Sequence, residues 1–363
     1  MGGHARAVRG AHALTSRRDY SRLDEDDVRV RPGRGSRPRT RRRPAHQDAA
    51  SGFVTAVDRG RYTCLVADQT VTAMRARELG RKAVVVGDTV VLAGDVSGAA
   101  GTLARIVRVQ PRTSALRRSA DDTDPVERVI VANASQLVIV CALASPAPRP
   151  RLIDRCLVAA YDAGLDPLLC LTKSDLAAPD ELLAAYEPLG LPCVITRKPL
   201  TEEQLGPLRE RLADRVSVLV GHSGVGKSTL INALVPQAGR AIAAVNPVTG
   251  RGRHASSSAI ALGLSGGGWI IDTPGVRSFG LAHVAAERVV QAFPDLAEGT
   301  NGCPPGCTHL AAGCALDGWV RDQAPGGDPV RNRLAARLAS LRRLLRSREG
   351  DSSRHAAEAR LSG

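Results

Sequence analysis

The chain has 363 residues, 43% of them apolar, enough to bury at least one full-size core and suggestive of two or three domains. No run of about 18 apolar residues occurs, which excludes a helical membrane span, and the first residues lack the apolar stretch of a secretory leader, so a cytoplasmic protein is expected. The formal charge of +14 is concentrated at the ends: residues 1–50 hold 13 Arg against 6 acids and residues 329–363 hold 9 Arg against 3, leaving the body close to neutral.

Polycationic ends point to a polyanion, and in a cytosolic chain the polyanion of choice is nucleic acid; solvated, solubilising tails fit the charge equally well. Aromatic residues make up 2% of the chain, so base stacking contributes little and any contact to nucleic acid leans on arginine and phosphate. Of the eight cysteines, Cys303, Cys307 and Cys314 cluster near the end, while Cys64, Cys141, Cys156, Cys170 and Cys193 lie in apolar segments. That distribution reads as buried thiols plus one ligand cluster, not as a disulfide framework.

In chain order, residues 1–50 mix Arg, Pro, Gly and Asp without apolar periodicity and are expected to be a disordered basic tail. From Ser51 short runs follow at 52–58, 62–67, 83–86, 89–92 and 102–109, split by Gly and Asp turns. Five strands in this space suggest a small β-barrel over 51–112, of OB type or of the SH3-like type that gives nearly the same signature. The polar stretch 113–125, with Arg112, Arg117 and Arg118 nearby, is expected to link the barrel to the next domain. Strands at 136–142, 167–171, 192–196 and 217–220 then alternate with helices near 151–163, 179–187 and 202–212, the pattern of a mainly parallel, doubly wound sheet over 113–285.

Three segments of that region carry chemistry. Thr172-Lys173-Ser174-Asp175 follows a buried strand; the Asp175 carboxylate can accept from guanine N1–H and its 2-amino group while the Lys173 stem covers the ring, which predicts GTP over ATP. Thr196, after the strand Val194-Ile195, falls where a loop backing the base would lie. Gly221-His222-Ser223-Gly224-Val225-Gly226-Lys227-Ser228 sits between a strand and a helix that continues through Thr229. Its backbone N–H groups face phosphate oxygens, Lys227 reaches the β and γ phosphates, and Ser228 offers a hydroxyl to Mg²⁺. Asp272-Thr273-Pro274-Gly275 closes a third strand, with Asp272 placed to hold magnesium through water and the Gly275 N–H to sense the γ-phosphate. An ordinary GTPase has its base-reading segment last. Here it comes first, so the domain is circularly permuted.

The residue after Gly275 is Val276, which cannot orient a water as a Gln there would, so turnover is expected to be slow until a partner orders the site. His254, in the segment 250–257 where a mobile switch loop belongs, is the candidate for that task; an RNA-facing or merely exposed histidine is the other reading. Cys303, Cys307, His309 and Cys314 form C-x3-C-x-H-x4-C, a donor set that closes a tetrahedron around a structural zinc. Leu334, Leu338, Leu341 and Leu345 mark the packed face of a following helix whose arginines are expected to be free to meet RNA.

With permuted motifs, a barrel before them and a Cys₃His cluster behind, residues 51–320 resemble the RsgA family of circularly permuted GTPases that act in small ribosomal subunit maturation. The resemblance implies an α/β P-loop GTPase domain with an N-terminal OB-type β-barrel and a C-terminal zinc-binding, mostly helical domain over 286–347, followed by a disordered tail over 348–363. It implies GTP/GDP, Mg²⁺ and one Zn²⁺ as cofactors, the small subunit and its rRNA as partners, hydrolysis stimulated by that subunit, no membrane and a monomer. Carried over, it assigns Lys227 and Ser228 to phosphate and magnesium, Asp272 to magnesium, Lys173 and Asp175 to guanine, His254 to the switch loop, and Cys303, Cys307, His309 and Cys314 to zinc. The family usually has Asn where Thr172 stands and G-x-G-x-H-T-T where Ala255 and Ser256 follow His254, so Ser256 and Ser257 both remain open as magnesium ligands. Its cysteine cluster is usually longer, C-x4-C-x-H-x5-C. The missing Gln and altered switch loop leave a GTP-regulated rRNA-binding scaffold without significant hydrolysis as the alternative.

Overall fold

The computed structural model describes residues 49–79, 84–118, 128–238, 259–273, 279–281, 283–311, 313–323 and 329–348. The basic tail expected over 1–50 falls almost wholly outside them, as does all but Arg348 of the tail expected over 348–363.

Five strands, β1 (Ala50–Asp58), β2 (Arg61–Val66), β3 (Gln69–Arg75), β4 (Thr89–Ala93) and β5 (Ala104–Val109), pair in the order β1-β2-β3-β5-β4, and β4 returns to β1. β3 and β5 run parallel while every other pair is antiparallel. This is the closed Greek-key order of an OB barrel, which settles the choice left open against an SH3-like one. Val54, Cys64, Val71, Ala73, Leu92 and Ile106 fill its interior. The third strand is not where the sequence placed it. Residues 69–75 form it, because Val71 and Ala73 alternate inward between exposed Gln, Thr and Met; of the described residues 84–86, only Val86 makes an isolated bridge.

Of the expected linker, the described residues 113–118 are structured. β6 (Ala115–Arg118) pairs with β7 (Arg128–Ala132), and Leu116 is buried in the core of the following domain. That domain continues with β8 (Gln136–Ala142), α1 (Pro150–Ala163), β9 (Asp166–Thr172), α2 (Asp180–Tyr186), β10 (Cys193–Ile195), α3 (Glu202–Leu212), β11 (Val216–Val220), α4 (Lys227–Leu234), β12 (Ile260–Gly263) and β13 (Trp269–Asp272). The strands lie in the order β10-β9-β8-β11-β13-β12, parallel except for β12. All seven residues of β8 are buried, as a central parallel strand covered on both faces requires. α1 packs with one core and α3 and α4 with the other, giving the doubly wound arrangement. α1 begins with Pro150 at its first turn and ends on Gly164 in the left-handed conformation, the residue types that start and stop helices.

β12 also pairs with β1 through Ala56 and Ile260, so barrel and nucleotide-binding sheet form one eleven-stranded sheet. After β13 come α5 (Ala286–Gln291), α6 (Pro294–Ala297), α7 (Ala315–Asp322) and α8 (Pro329–Arg348). Leu338, Leu341, Leu344 and Leu345 of α8 join the core beneath α1, with Leu334 partly buried at its edge. Burial pushes the thiols of Cys64, Cys156 and Cys170 up to about 12, so these cysteines act as small apolar packing groups.

Candidate functional site

The three motif loops leave the carboxyl ends of neighbouring strands: Thr172–Asp175 from β9, Gly221–Ser228 from β11, and Thr273 from β13. That edge is where a doubly wound sheet binds its ligand. Gly221 crosses so close to β8 that a Cβ would lie 2.5 Å from the Val140 carbonyl oxygen. Gly224 and Gly226 have φ of +82° and +94°, which only glycine adopts freely. They turn the chain into α4, whose N-terminus is capped by no side chain, so its orphan N–H groups face the loop. Ser228 and Thr229 are exposed in its first turn, His222 is half-buried with Nδ1 3.0 Å from the Ser223 carbonyl, and Val225 is buried.

Lys227 Nζ lies 3.5 Å from Asp272 Oδ1, although neither residue is fully exposed and Leu219 and Asp272 are register partners on adjacent strands. Asp272 Oδ1 is buried and has no hydrogen-bond donor. A carboxylate oxygen out of water and short of donors is the acceptor that a magnesium-bound water satisfies, so the residues fit the ion. Thr273 donates its hydroxyl to the Leu219 carbonyl at 3.1 Å and ties this loop to the phosphate-loop strand.

The base-reading loop is held against the phosphate loop. Thr172 donates its hydroxyl to the Val225 carbonyl at 2.6 Å, a tether whose donor is the side chain that the family pattern replaces with Asn. Lys173 adopts φ of +62° and its ammonium donates to the Ser145 carbonyl. Ser174 N–H donates to the Thr196 carbonyl at 3.3 Å, and Thr196 is itself buried, its N–H donating to Leu171 at 2.7 Å. Asp175 is exposed and accepts from the Lys198 N–H at 3.3 Å. Ser145 and Thr273 are contributions the sequence reading did not single out; the second was legible only as part of the D-x-x-G motif. His254, Ser256, Ser257, Gly275 and Val276 lie outside the described residues.

Cys303, Cys307, His309 and Cys314 converge with one donor atom each, all within 4.8 Å of one another. Cys303 Sγ lies 3.6 Å from Cys314 Sγ and 3.6 Å from His309 Nδ1; Cys314 Sγ is 3.6 Å from His309 Nδ1 and 4.0 Å from Cys307 Sγ. Zinc–sulfur bonds of about 2.3 Å at tetrahedral angles separate two sulfurs by about 3.8 Å, so these spacings fit a zinc tetrahedron. The cysteines are free thiols. Within this short spacing His309 has φ of +59°, a conformation costly for a residue with a Cβ. Its N–H donates to Cys307 Sγ, and its carbonyl accepts from Arg342 Nε at 3.0 Å. Burial pushes the His309 imidazole below its ordinary value, which favours the neutral, ligating form.

The RsgA GTPase family model matches residues 109–282. The small ribosomal subunit biogenesis GTPase RsgA of Gemmatimonas aurantiaca is 39% identical over 254 residues, covering 69% of this chain and 80% of that protein. That of Pseudomonas fluorescens is 38% identical over 254 residues, covering 66% and 72%. The chain belongs to the RsgA GTPase family. Its fold also matches the crystal structure of YloQ, a circularly permuted GTPase, with a TM-score of 0.55 at 22% identity over 83% of this chain and 97% of that one. YjeQ from Thermotoga maritima gives 0.55 at 23% identity over 80% and 98%. Family membership makes this chain a GTP hydrolase, with GTP, its product GDP and Mg²⁺ as the implied ligands. Among the described residues, no helix is long and apolar enough to cross a membrane.

Proposed function

We propose that this RsgA-family GTPase binds the small ribosomal subunit in the bacterial cytoplasm, acts in its late maturation as a monomer, and is released after subunit-stimulated hydrolysis of GTP. The observation that carries the reading is the base-reading loop preceding the phosphate loop in the chain, with a barrel on one side and a Cys₃His loop on the other. The barrel spans 51–112, the permuted GTPase domain 113–285 and the zinc-binding helical region 286–347; the separate barrel core supports the first boundary. Cys303, Cys307, His309 and Cys314 hold one zinc that supplies structure alone, since four protein donors leave no open position. Barrel and zinc region contact rRNA, with the arginine-rich end at 1–50 adding phosphate contacts.

At the nucleotide site, Gly221 to Thr229 cradle the phosphates, Lys227 neutralises them, and Ser228, Ser256 and Asp272 complete the magnesium shell. Thr172, Lys173, Ser174 and Asp175 form the guanine pocket, and Gly275 and His254 act at the γ-phosphate and the attacking water. The test of the function is GTP turnover measured with and without purified small subunits. Stimulation of about a hundredfold or more is expected, and equal rates would remove the reading. The base assignment has its own test: Asp175→Asn should weaken GTP binding about a hundredfold and improve xanthosine triphosphate binding, measured by calorimetry. An unchanged preference would return Asp175 to the surface.

A further inference from the structure

Arg155 lies in the middle of α1, and only 8% of it is exposed. Burying a guanidinium is expensive unless each donor direction finds an acceptor. Here the fork reads two main-chain carbonyls far apart in sequence. Nε and Nη2 donate to Phe279, the first at 3.0 Å, and Nη1 donates to Ser347 at 2.7 Å. Phe279 follows the D-x-x-G segment by four residues, and its ring is buried in the core to which α1 also contributes. Ser347 belongs to the last turn of α8. In the same exit segment, His283 Nε2 lies 3.7 Å from Asp162 Oδ2 near the end of α1, an ion pair when the imidazole is protonated. Five residues earlier on α8 than Ser347, Arg342 grips the Asp317 carboxylate with two bonds of 2.7 and 2.9 Å and the His309 carbonyl with a third.

We propose that Arg155 is a positioning residue that couples the position of Phe279, downstream of Asp272 and Thr273, to α8, and through Arg342 to the Cys/His loop. This rests on the function proposed above. A shift of the Phe279 carbonyl moves an acceptor that the guanidinium shares with Ser347, and a planar fork cannot follow one carbonyl without turning away from the other. α8 is a continuous helix of 20 residues, so displacement of its last turn is carried along it to Arg342. The α1 position thus supplies a route by which loss of the γ-phosphate alters the surface presented to the subunit.

The test uses full-length protein, purified small subunits, GDP and a non-hydrolysable GTP analogue. Arg155→Lys keeps the charge but, as a point donor, cannot hold both carbonyls. In the variant, the ratio of subunit affinities between analogue and GDP should shrink about tenfold, while nucleotide affinity of the free protein and basal turnover hold. An unchanged ratio overturns the proposal. A wild-type ratio of one overturns the proposed function itself, and the role of Arg155 with it. As a check independent of how the variant folds, deuterium uptake of α8 is compared in the wild type: unequal uptake over 341–348 between the two nucleotides supports the route, and equal uptake overturns it.

Discussion

Where the barrel meets the nucleotide-binding sheet, the joint combines strand pairing with buried side-chain contacts. β1 pairs with β12 through Ala56 and Ile260, Phe53 and Trp269 meet across the seam as tilted rings with centroids 5.0 Å apart, and the Ala132 N–H donates to the Val86 carbonyl at 3.0 Å. Asn133 spans the same joint, donating to the Gly87 carbonyl at 2.8 Å and accepting from the Thr113 N–H at 2.8 Å. Asp88, fully buried, is satisfied by Arg112 and by the Val85 N–H. Where the C-terminal helices meet that sheet, apolar packing is fastened by arginines on carbonyls and carboxylates. Arg337 holds Asp295 and the Pro188 carbonyl over the Phe293 ring, Arg343 holds Asp154 and the Ala185 carbonyl over Tyr186, and Arg348 holds the Val284 carbonyl. Continuous hydrogen-bonded sheet resists shear, whereas a set of side-chain clamps has discrete alternatives. The comparison assigns stiffness to the barrel joint and responsiveness to the helical one.

The largest effect that separates the two joints comes from the metal. Removing the proposed zinc with a chelator, or changing Cys307→Ser, should unfold the loop around His309 and loosen Arg342, because structural zinc contributes folding free energy on the order of 10 kcal/mol locally. Metal analysis should fall from one zinc to none, and hydrogen exchange should rise in α7 and α8 but not in β1 to β5. Metal retention in the Cys307→Ser protein would break the ligand assignment, and loss of protection in the barrel would break the contrast between joints.

A second test addresses the stiff joint alone. Gly87 has φ of +91°, and a Cβ there would lie 2.0 Å from the Ala132 carbonyl oxygen, part of the neighbouring backbone. Gly60, with φ of +80°, has nothing within 4 Å of its Cβ position. Gly60→Ala therefore incurs backbone strain alone, about 1 kcal/mol, while Gly87→Ala adds a steric clash that only separation of the joint relieves, for a total of about 3 kcal/mol. Urea denaturation of the two variants measures the difference. Equal losses would show that the close approach of Gly87 is not what seals the seam.

How much of this was readable in advance depends on how local each signal is. The phosphate loop, the base-reading loop and α3 are written in consecutive residues, and the strands and helices around them lie close to where their patterns placed them. β3 escaped because its inward residues are only Val71 and Ala73, set among Gln, Thr and Met. The hairpin of β6 and β7 was taken for a linker because each strand is short and its stability comes from a partner beyond a polar stretch. The arginines of α8 were expected to be free for RNA, and this fails for Arg337, Arg342, Arg343 and Arg348. Their acceptors come from distant segments, 189 residues away for Arg343 and Asp154, so nothing along the helix announces them. The hydroxyl tether from Thr172 to Val225 was likewise invisible, since it depends on β9 and the phosphate loop meeting across the sheet edge.

The smallest expected effect sharpens the picture of the clamps themselves, because two adjacent arginines hold carboxylates of opposite titration behaviour. Hydrogen bonds from Arg342 hold Asp317 below the ordinary aspartate value of 3.8. Its contribution to stability is therefore present above that value and lost as pH falls through the lowered one. The side chain is 30% exposed, so solvent screening limits the contribution to less than about 1 kcal/mol. Asp154 is pushed the other way, because burial outweighs the attraction of Arg343 and the hydrogen bond from Tyr186. With its folded-state value raised, its contribution is present below 3.8 and diminishes as pH rises through the raised one. Denaturation midpoints from pH 3 to 7 should then show Asp317→Asn flattening the acid limb and Asp154→Asn altering the slope above it in the opposite sense. Parallel curves for the two variants would mean that neighbouring positions on α8 clamp their partners in the same electrostatic setting, and the division between an exposed clamp at the zinc loop and a buried one at α1 would fall.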